Sequence, residues 1–172
     1  MNEIDQVFSA EAIAQRVVAL GAEIRADAGN AEVFLLSILK GTSCFLADLL
    51  RATPGKCTFG FVDAISQPAD PDTPSVLHLD YLSFANITGR NVYVLKDVVS
   101  TGIIETWLLS QLRLRNPATL KLVALLDMTE QRTIDLTSDF IAFEVVEYGA
   151  YVGYGLERQN HYGNLPYIGL SR

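Results

Sequence analysis

Short apolar runs of strand length, separated by stretches with helical periodicity, constrain this chain more than any other feature. Three of them cover residues 33–38, 92–95 and 120–126. An apolar run without alternation is typical of a parallel strand that is covered on both faces. Helical stretches between such runs predict an α/β fold with a parallel sheet, whose ligands bind at the carboxyl ends of the strands.

The helix-capping and turn residues between these runs predict one domain without an internal linker. Ser9 is placed to cap a helix over residues 10–28, and residues 40–43 and 100–102 are each placed to open a further helix. Additional strands are expected at 57–65, 76–83, 140–146 and 165–168, and His78 in the second of these is expected to serve packing. Residues 67–75 contain three prolines and two aspartates (Asp70 and Asp72), which indicates an exposed loop with solvated acids.

Composition excludes several classes of partner. Twenty acidic and thirteen basic residues give a net charge of −7, which argues against a protein that binds nucleic acid through a basic surface. Charged residues make up 19% of the chain, below the usual value of about 25%, so part of the surface is expected to be covered by another subunit.

No apolar run approaches the roughly 20 residues of a membrane helix. The acidic N-terminus lacks the positive charge of a secretory signal, so a cytoplasmic location is expected. Cys44 and Cys57 are expected to be inert buried thiols.

The most informative segment joins the strand at 92–95 to a following helix. Lys96 and Asp97 lead into Ser100, Thr101 and Gly102, small residues at the start of that helix. Exposed amides at a helix N-terminus can bind a phosphate group. A purely structural turn with a glycine is an equal interpretation of these residues alone.

Several segments, in order and with matching spacing, resemble the hypoxanthine-guanine phosphoribosyltransferase family over about residues 9–168. The segments that carry the resemblance are 37–41, 47–49, 89–102, 125–127, 152–156 and 165–169. Members of this family transfer the phosphoribosyl group of phosphoribosyl pyrophosphate (PRPP) to a purine and release pyrophosphate, with Mg²⁺. The resemblance implies a type I phosphoribosyltransferase fold, a Rossmann-like parallel sheet with a small hood. It assigns about residues 30–146 to the core and about 1–29 and 147–172 to the hood, and it implies a homodimer or homotetramer.

The same resemblance assigns site residues. Asp97 and Ser100 occupy the catalytic positions, and Asp97 and Glu157 occupy the positions near the metal. Met128, Tyr151 and Val152 occupy the purine-binding positions. The positions that bind PRPP and its phosphates are Leu39, Lys40, Gly41, Lys96, Asp97, Ser100, Thr101, Gly102 and Ile104. A solvated loop lysine is the alternative interpretation of Lys40.

The chain departs from the family at the PRPP loop. Lys96 replaces an acid that accepts hydrogen bonds from ribose, and an ammonium group offers only donors. Lys96 either pairs with Asp97 or stands in for part of the metal's charge, or it is tolerated because the role is gone. Ser100 replaces the aspartate that handles a proton of the purine, and Ile104 replaces a threonine that contacts phosphate. General acid–base catalysis contributes about 10²–10⁴ in rate, so transfer is expected to be weak or lost.

Further departures affect the purine and pyrophosphate positions. Met128 replaces the lysine that identifies the 6-oxo group, and Ala150 replaces the aromatic residue that stacks on the base. Tyr151 either stacks after a shift of the loop or belongs to the core. Gly163 replaces an arginine, and His161 could supply partial positive charge there, although an ordinary surface histidine is the simpler interpretation. The family's lid corresponds to about residues 64–80, with 66–75 as the candidate moving loop. A non-catalytic protein that binds a nucleotide or PRPP, as a regulator or partner subunit, is the alternative function.

Overall fold

The computed structural model describes residues 4–67, 76–80 and 86–172, with the side chains of 63–67 and 76–80 left out. Its main feature is a six-stranded sheet with the strand order β4-β3-β2-β5-β6-β7. Five strands pair in parallel, and β4 is antiparallel to β3. The strands are β2 (Val33–Ile38), β3 (Cys57–Gln67), β4 (Val76–Asp80), β5 (Asn91–Val99), β6 (Thr119–Asp127) and β7 (Phe140–Glu144). The predicted α/β class with a parallel sheet is therefore confirmed.

Three helices cover the two faces of this sheet. Helices α1 (Ala10–Ala28) and α2 (Ser43–Ala52) pack on one face, and α3 (Ile103–Arg113) packs on the other. The uninterrupted apolar sequence of β2 explains this arrangement, because all six of its residues are buried. Alternate residues of β2 join the two clusters: Leu35 packs with α1 and α2, and Leu36 packs with α3. Both faces of the central strands are thus removed from water.

A second, three-stranded antiparallel sheet is built from both ends of the chain. It consists of β1 (Ile4–Phe8), β9 (Ile168–Ser171) and β8 (Ala150–Val152), with β9 in the middle. The sequence patterns predicted neither β1 nor β8, and they placed the last strand at 165–168, three residues too early. These strands are only three to five residues long and their pairing is distant in sequence, so no local periodicity identifies them.

The first helix begins and ends where the sequence predicts. The Ser9 hydroxyl caps it by accepting a hydrogen bond from the Ala12 amide at 3.2 Å. The predicted burial of the two cysteines is wrong: Cys44 is exposed and Cys57 is half-buried. Cys44 lies in the first turn of α2, and the local apolar composition did not reveal its exposure. None of the helices in the described part of the chain is long and apolar enough to cross a membrane.

The lid candidate at 64–80 includes the end of β3 and all of β4, which form an antiparallel pair. Residues 68–75, including Asp70 and Asp72, lie outside the described residues. His78 is on β4, where its backbone is opposite Ile65.

Candidate functional site

The carboxyl end of β5 brings Lys96 and Asp97 into direct contact. The Lys96 ammonium pairs with Asp97 Oδ1, and the same oxygen accepts a hydrogen bond from the Val98 amide at 2.9 Å. Both side chains are mostly buried, with exposed fractions of 17% and 24%. The geometry therefore corresponds to the interpretation in which Lys96 pairs with Asp97, and one Asp97 oxygen is already engaged twice.

Beyond β5, the loop at 100–102 turns into α3 through Gly102. This residue has a φ of +84°, a left-handed conformation that favours glycine. Within the described residues, no hydrogen bond from the amides of Thr101 or Gly102 is found, and the first amides of α3 have no intrahelical acceptor. These donors and the positive end of α3 lie at the residues predicted to bind a phosphate group, and the Ile103 amide donates to Thr101 Oγ1 at 3.4 Å. Ile104 is exposed and contributes no polar atom.

Arg132 braces this loop against the end of β6. Its guanidinium pairs with the Asp127 carboxylate, which also accepts a hydrogen bond from Ser138, and it donates to the Ser100 carbonyl at 3.1 Å. Asp127 is 1% exposed. Thr133 adds two bonds to the Thr101 carbonyl, from its amide at 3.2 Å and its hydroxyl at 3.3 Å. The loop at 100–102 is thus fixed from the side by the segment that follows β6.

The turn between β2 and α2 is held by buried hydroxyl groups. Thr42 Oγ1 donates to the Ile38 carbonyl at 2.5 Å and lies 2.6 Å from Ser37 Oγ. Because the Thr42 hydroxyl has one proton, Ser37 is the donor in the second bond. These bonds fix the turn that contains Leu39, whose peptide bond to the next residue is cis, and Lys40.

Lys40 forms one wall of a cavity of about 300 Å³, the Lys40 cavity. Its ammonium lies 2.6 Å from Glu157 Oε2 and donates to Asn160 Oδ1 at 3.3 Å. The cavity is lined by Lys40, Gly41, Asp97, Gly155, Glu157, Gln159 and Asn160. Lys40 and Gly41 of the predicted 39–41 segment thus lie in one cavity with Asp97 and Glu157, whereas Leu39 does not line it.

Close backbone approaches shape this cavity. A Cβ atom on Gly41 would lie 2.1 Å from Asp97 Oδ2, and one on Gly155 would lie 2.8 Å from the Gly41 carbonyl oxygen. A Cβ atom on Gly163 would lie 2.8 Å from Glu157 Cγ. An arginine at position 163 would therefore require Glu157 to move away from its present position beside Lys40.

A second cavity, of about 550 Å³, lies between the ends of β5 and β6 and the three-stranded sheet. We refer to it as the Met128 cavity, since Met128 is buried in its wall. It is lined by Val98, Ser100, Met128, Gln131, Tyr148, Gly149, Ala150, Arg158, Ser171 and Arg172. Both cavities fall within or near the size range of small-molecule sites, about 300–1,000 Å³.

Tyr151 and Val152 occupy the core beside this cavity. Both are buried, and the Tyr151 hydroxyl donates to the Glu147 carbonyl at 2.9 Å. Burial and the nearby Glu147 raise the pKa of Tyr151. The aromatic side chain in the wall is instead that of Tyr148, which is 84% exposed.

Glu105 adds a buried acid next to the Lys96–Asp97 pair. It is on the first turn of α3 and is 4% exposed. Burial raises its pKa above the ordinary 4.5, while the positive charges of Lys96 and Arg132 act in the opposite direction. The region thus combines two acids with two cations in a poorly solvated position.

Comparison with known proteins identifies the family. The phosphoribosyl transferase domain family matches residues 3–159. A hypoxanthine-guanine phosphoribosyltransferase from Bacillus subtilis is 30% identical over 172 residues, which cover 99% of this chain and 95% of that protein. The chain belongs to the hypoxanthine-guanine phosphoribosyltransferase family.

Other members of this phosphoribosyltransferase family agree in sequence and in fold. One from Mycobacterium avium is 31% identical over 170 residues, covering 95% of this chain and 83% of that protein. The crystal structure of one from Bacillus anthracis superimposes with a TM-score of 0.88 at 32% identity, covering 99% of both chains. The predicted type I phosphoribosyltransferase fold is therefore confirmed.

The phosphoribosyltransferase site contains residues that sequence reasoning missed. In the Lys40 cavity these are Gln159 and Asn160, and in the Met128 cavity they are Tyr148, Arg158 and Arg172. Their only signal in the sequence was proximity to the family segments at 152–156 and 165–169. His161 is exposed and is not among the residues lining either cavity.

The residues near the predicted metal position do not fit a Mg²⁺ ion held by the protein. Asp97 is paired with Lys96, and Glu157 is paired with Lys40. Within the described residues, no group of three or more His, Cys, Asp or Glu side chains could hold a metal ion. Each of these two carboxylates already has an ammonium partner.

Proposed function

We propose that this protein retains the phosphate-binding and pyrophosphate-binding parts of a purine phosphoribosyltransferase but transfers phosphoribosyl groups to hypoxanthine or guanine weakly or not at all. In the family reaction, a purine nitrogen forms a bond to C1 of the ribose of PRPP, the bond from C1 to pyrophosphate breaks, and the purine loses a proton. Each step needs groups that the chain supplies only in part.

The observation that carries this proposal is the ion pair between Lys96 and Asp97. An ammonium bound to the remaining acid competes with the ribose hydroxyls that would donate to it. Ser100, in the position that would accept the purine proton, is a neutral hydroxyl and a poor base near pH 7. We expect the loss of the acid alone to cost about a hundredfold in rate. Further losses at the base pocket need not add to it, because groups that act on one transition state are coupled.

The retained anion site supports the second candidate, a non-catalytic protein that binds PRPP or a nucleotide. The amides of Thr101 and Gly102, which have no acceptor among the described residues, lie on a loop that Arg132 holds in place. Lys40 and the Gly41 backbone line the cavity in which the resemblance places pyrophosphate, and a pyrophosphate group there would compete with Glu157 for the Lys40 ammonium. Binding of phosphate needs none of the acids that the sequence has lost. Any Mg²⁺ would arrive coordinated by the oxygens of PRPP.

Purified protein with PRPP, Mg²⁺ and hypoxanthine or guanine tests the proposal, with the Bacillus subtilis relative assayed alongside. We expect nucleotide formation at least about a hundredfold slower than in the relative. A rate within about threefold of the relative would contradict a weakened site. Calorimetry with PRPP, IMP and GMP then separates a binding protein from one with no ligand.

A triple variant tests the cause of the weakening. Lys96→Glu, Ser100→Asp and Met128→Lys together are expected to raise turnover, because they free Asp97 and supply a base and a donor to the 6-oxo group. Lys56→Glu with Ser110→Asp makes similar charge changes at exposed positions and serves as the control. If both variants stay at the unmodified rate, the three positions do not limit catalysis.

A homo-oligomer is part of the same proposal. The low charge content supports it, together with exposed apolar side chains on β3 (Phe59), on α1 (Val18) and directly after α3 (Leu114). Analytical ultracentrifugation distinguishes a dimer or tetramer from a monomer, and the monomer would contradict this part.

A further inference from the structure

The Met128 cavity carries positive charge that nothing in the purine-binding assignment requires. Arg158 and Arg172 both line it, and among the residues described no Asp or Glu side chain is found in its wall. A cavity wall with cationic side chains and without acidic ones favours a negatively charged ligand. The two arginines differ in how much of their charge is already paired.

Arg158 is the arginine whose charge remains available. Its Nη1 donates to Ser171 Oγ at 3.1 Å, and no carboxylate pairs with it in the described part of the chain. Arg172, by contrast, forms an ion pair with Asp5, with 2.7 Å between Nε and Oδ2. A guanidinium has five N–H donors, so the contact with neutral Ser171 orients Arg158 while leaving most of its donors for a ligand.

The backbone around Arg158 is also fixed. Its amide donates to the His161 carbonyl at 3.2 Å, and the His161 amide donates back at 3.0 Å. The tight turn that they close contains Gln159 and Asn160, both with positive φ. A guanidinium on such a turn, held by Ser171 of the neighbouring strand, loses less conformational freedom on binding than one on an open loop.

The rest of the cavity wall suits a flat ring. Met128 and Val98 supply an apolar surface, and Ala150 leaves room that a larger side chain would fill. Tyr148 supplies an exposed aromatic face at the rim. Gln131 adds an amide that can both donate and accept.

We propose that the Met128 cavity binds a ring compound that carries a carboxylate or comparable anionic group, with Arg158 as the residue that recognises the charge. The ring contacts Met128 and Val98, and the anionic group accepts hydrogen bonds from the guanidinium. This inference rests on the proposed function only in taking the Met128 cavity as the base-binding part of the site. It names the class of base that this cavity selects.

Matched pairs of ligands test the charge directly by calorimetry. Purine-6-carboxylate is compared with purine-6-carboxamide, and orotate with uracil, because the members of each pair differ chiefly in the anionic group. We expect the carboxylate to bind about tenfold more tightly in at least one pair. Arg158→Gln should reduce that preference to within about twofold, and Arg158→Lys, which keeps the charge, should retain part of it.

Arg113→Gln, which removes an arginine on α3 that lines neither cavity, is the control and should keep the full preference. Equal binding within both pairs, no binding of any of the four compounds, or a preference that survives in Arg158→Gln would each overturn the proposal. Calorimetry with PRPP on the same samples reports separately on the phosphate loop. If the unmodified protein prefers the carboxylate ligands but does not bind PRPP, the proposed function is refuted and this inference stands.

Discussion

Replacing Arg132 by methionine should destabilise the protein and loosen its phosphate loop at the same time. The change keeps an unbranched stem against Gly102 but leaves the Asp127 carboxylate, which is 1% exposed, without its cation. Removing one partner of a buried ion pair costs about 3–5 kcal/mol. Ser138 still donates to Asp127 in the variant, so we expect the lower end, about 3 kcal/mol. For a chain of this length, that loss corresponds to roughly 6–12 °C in Tm.

Urea denaturation followed by the fluorescence of the single tryptophan, Trp107, measures this loss. Arg132→Lys is the control: one ammonium cannot reproduce both the contact with Asp127 and the bond to the Ser100 carbonyl, so an intermediate loss is expected. In a double-mutant cycle with Asp127→Asn, the loss of unfolding free energy in the double variant should be smaller than the sum of the two single losses by at least about 1 kcal/mol. A loss below about 1 kcal/mol for Arg132→Met, the range of a surface ion pair, would refute the assignment of Arg132 as the brace.

Three further predictions concern stability. Because burial raises the pKa of Glu105 above 4.5, its ionised form destabilises the fold; Glu105→Gln should therefore stabilise the protein at pH 8, and the gain should vanish as the pH falls through the folded pKa to below 4.5, as measured by urea unfolding at each pH. Gly153→Ala, whose Cβ would lie 2.0 Å from a backbone oxygen, should cost at least twice as much as Gly89→Ala, which has a similar positive φ and open space, for which about 1 kcal/mol is expected; similar losses in thermal melts would contradict the steric explanation. Thr42→Val should cost about 1–3 kcal/mol because it leaves the buried Ser37 hydroxyl without its acceptor, whereas Thr42→Ser should cost less; equal losses would refute the role of the hydroxyl.

The core of the fold could be predicted because its signals are local. The mostly apolar run of β2, whose six residues are all buried, predicts a strand covered on both faces. The Ser9 cap and the helical spacing of apolar residues predict α1. The three-stranded sheet could not be predicted in this way. Its strands pair residues such as Ile4 and Ser171, whose partnership depends on contacts across the whole chain.

Only those site residues that lie in segments resembling the family could be predicted. Lys40, Asp97 and Glu157 meet in one cavity, as expected of residues carried over from those segments. Arg158 and Tyr148 escaped prediction because each has the sequence environment of an ordinary surface residue. Their position in a cavity wall depends on how the turn at 158–161 and the strand pairing of β8 and β9 orient the chain.

The central strand β9 connects two strands, β1 and β8, that are far apart in the sequence. Ser171 pairs with β1 on one side and with β8 on the other, and its side chain lines the Met128 cavity. A ligand that immobilises Ser171 would slow the opening of the backbone bonds on both sides. Amide hydrogen exchange in β1, which contributes no residue to the cavity wall described, could then report on its occupancy.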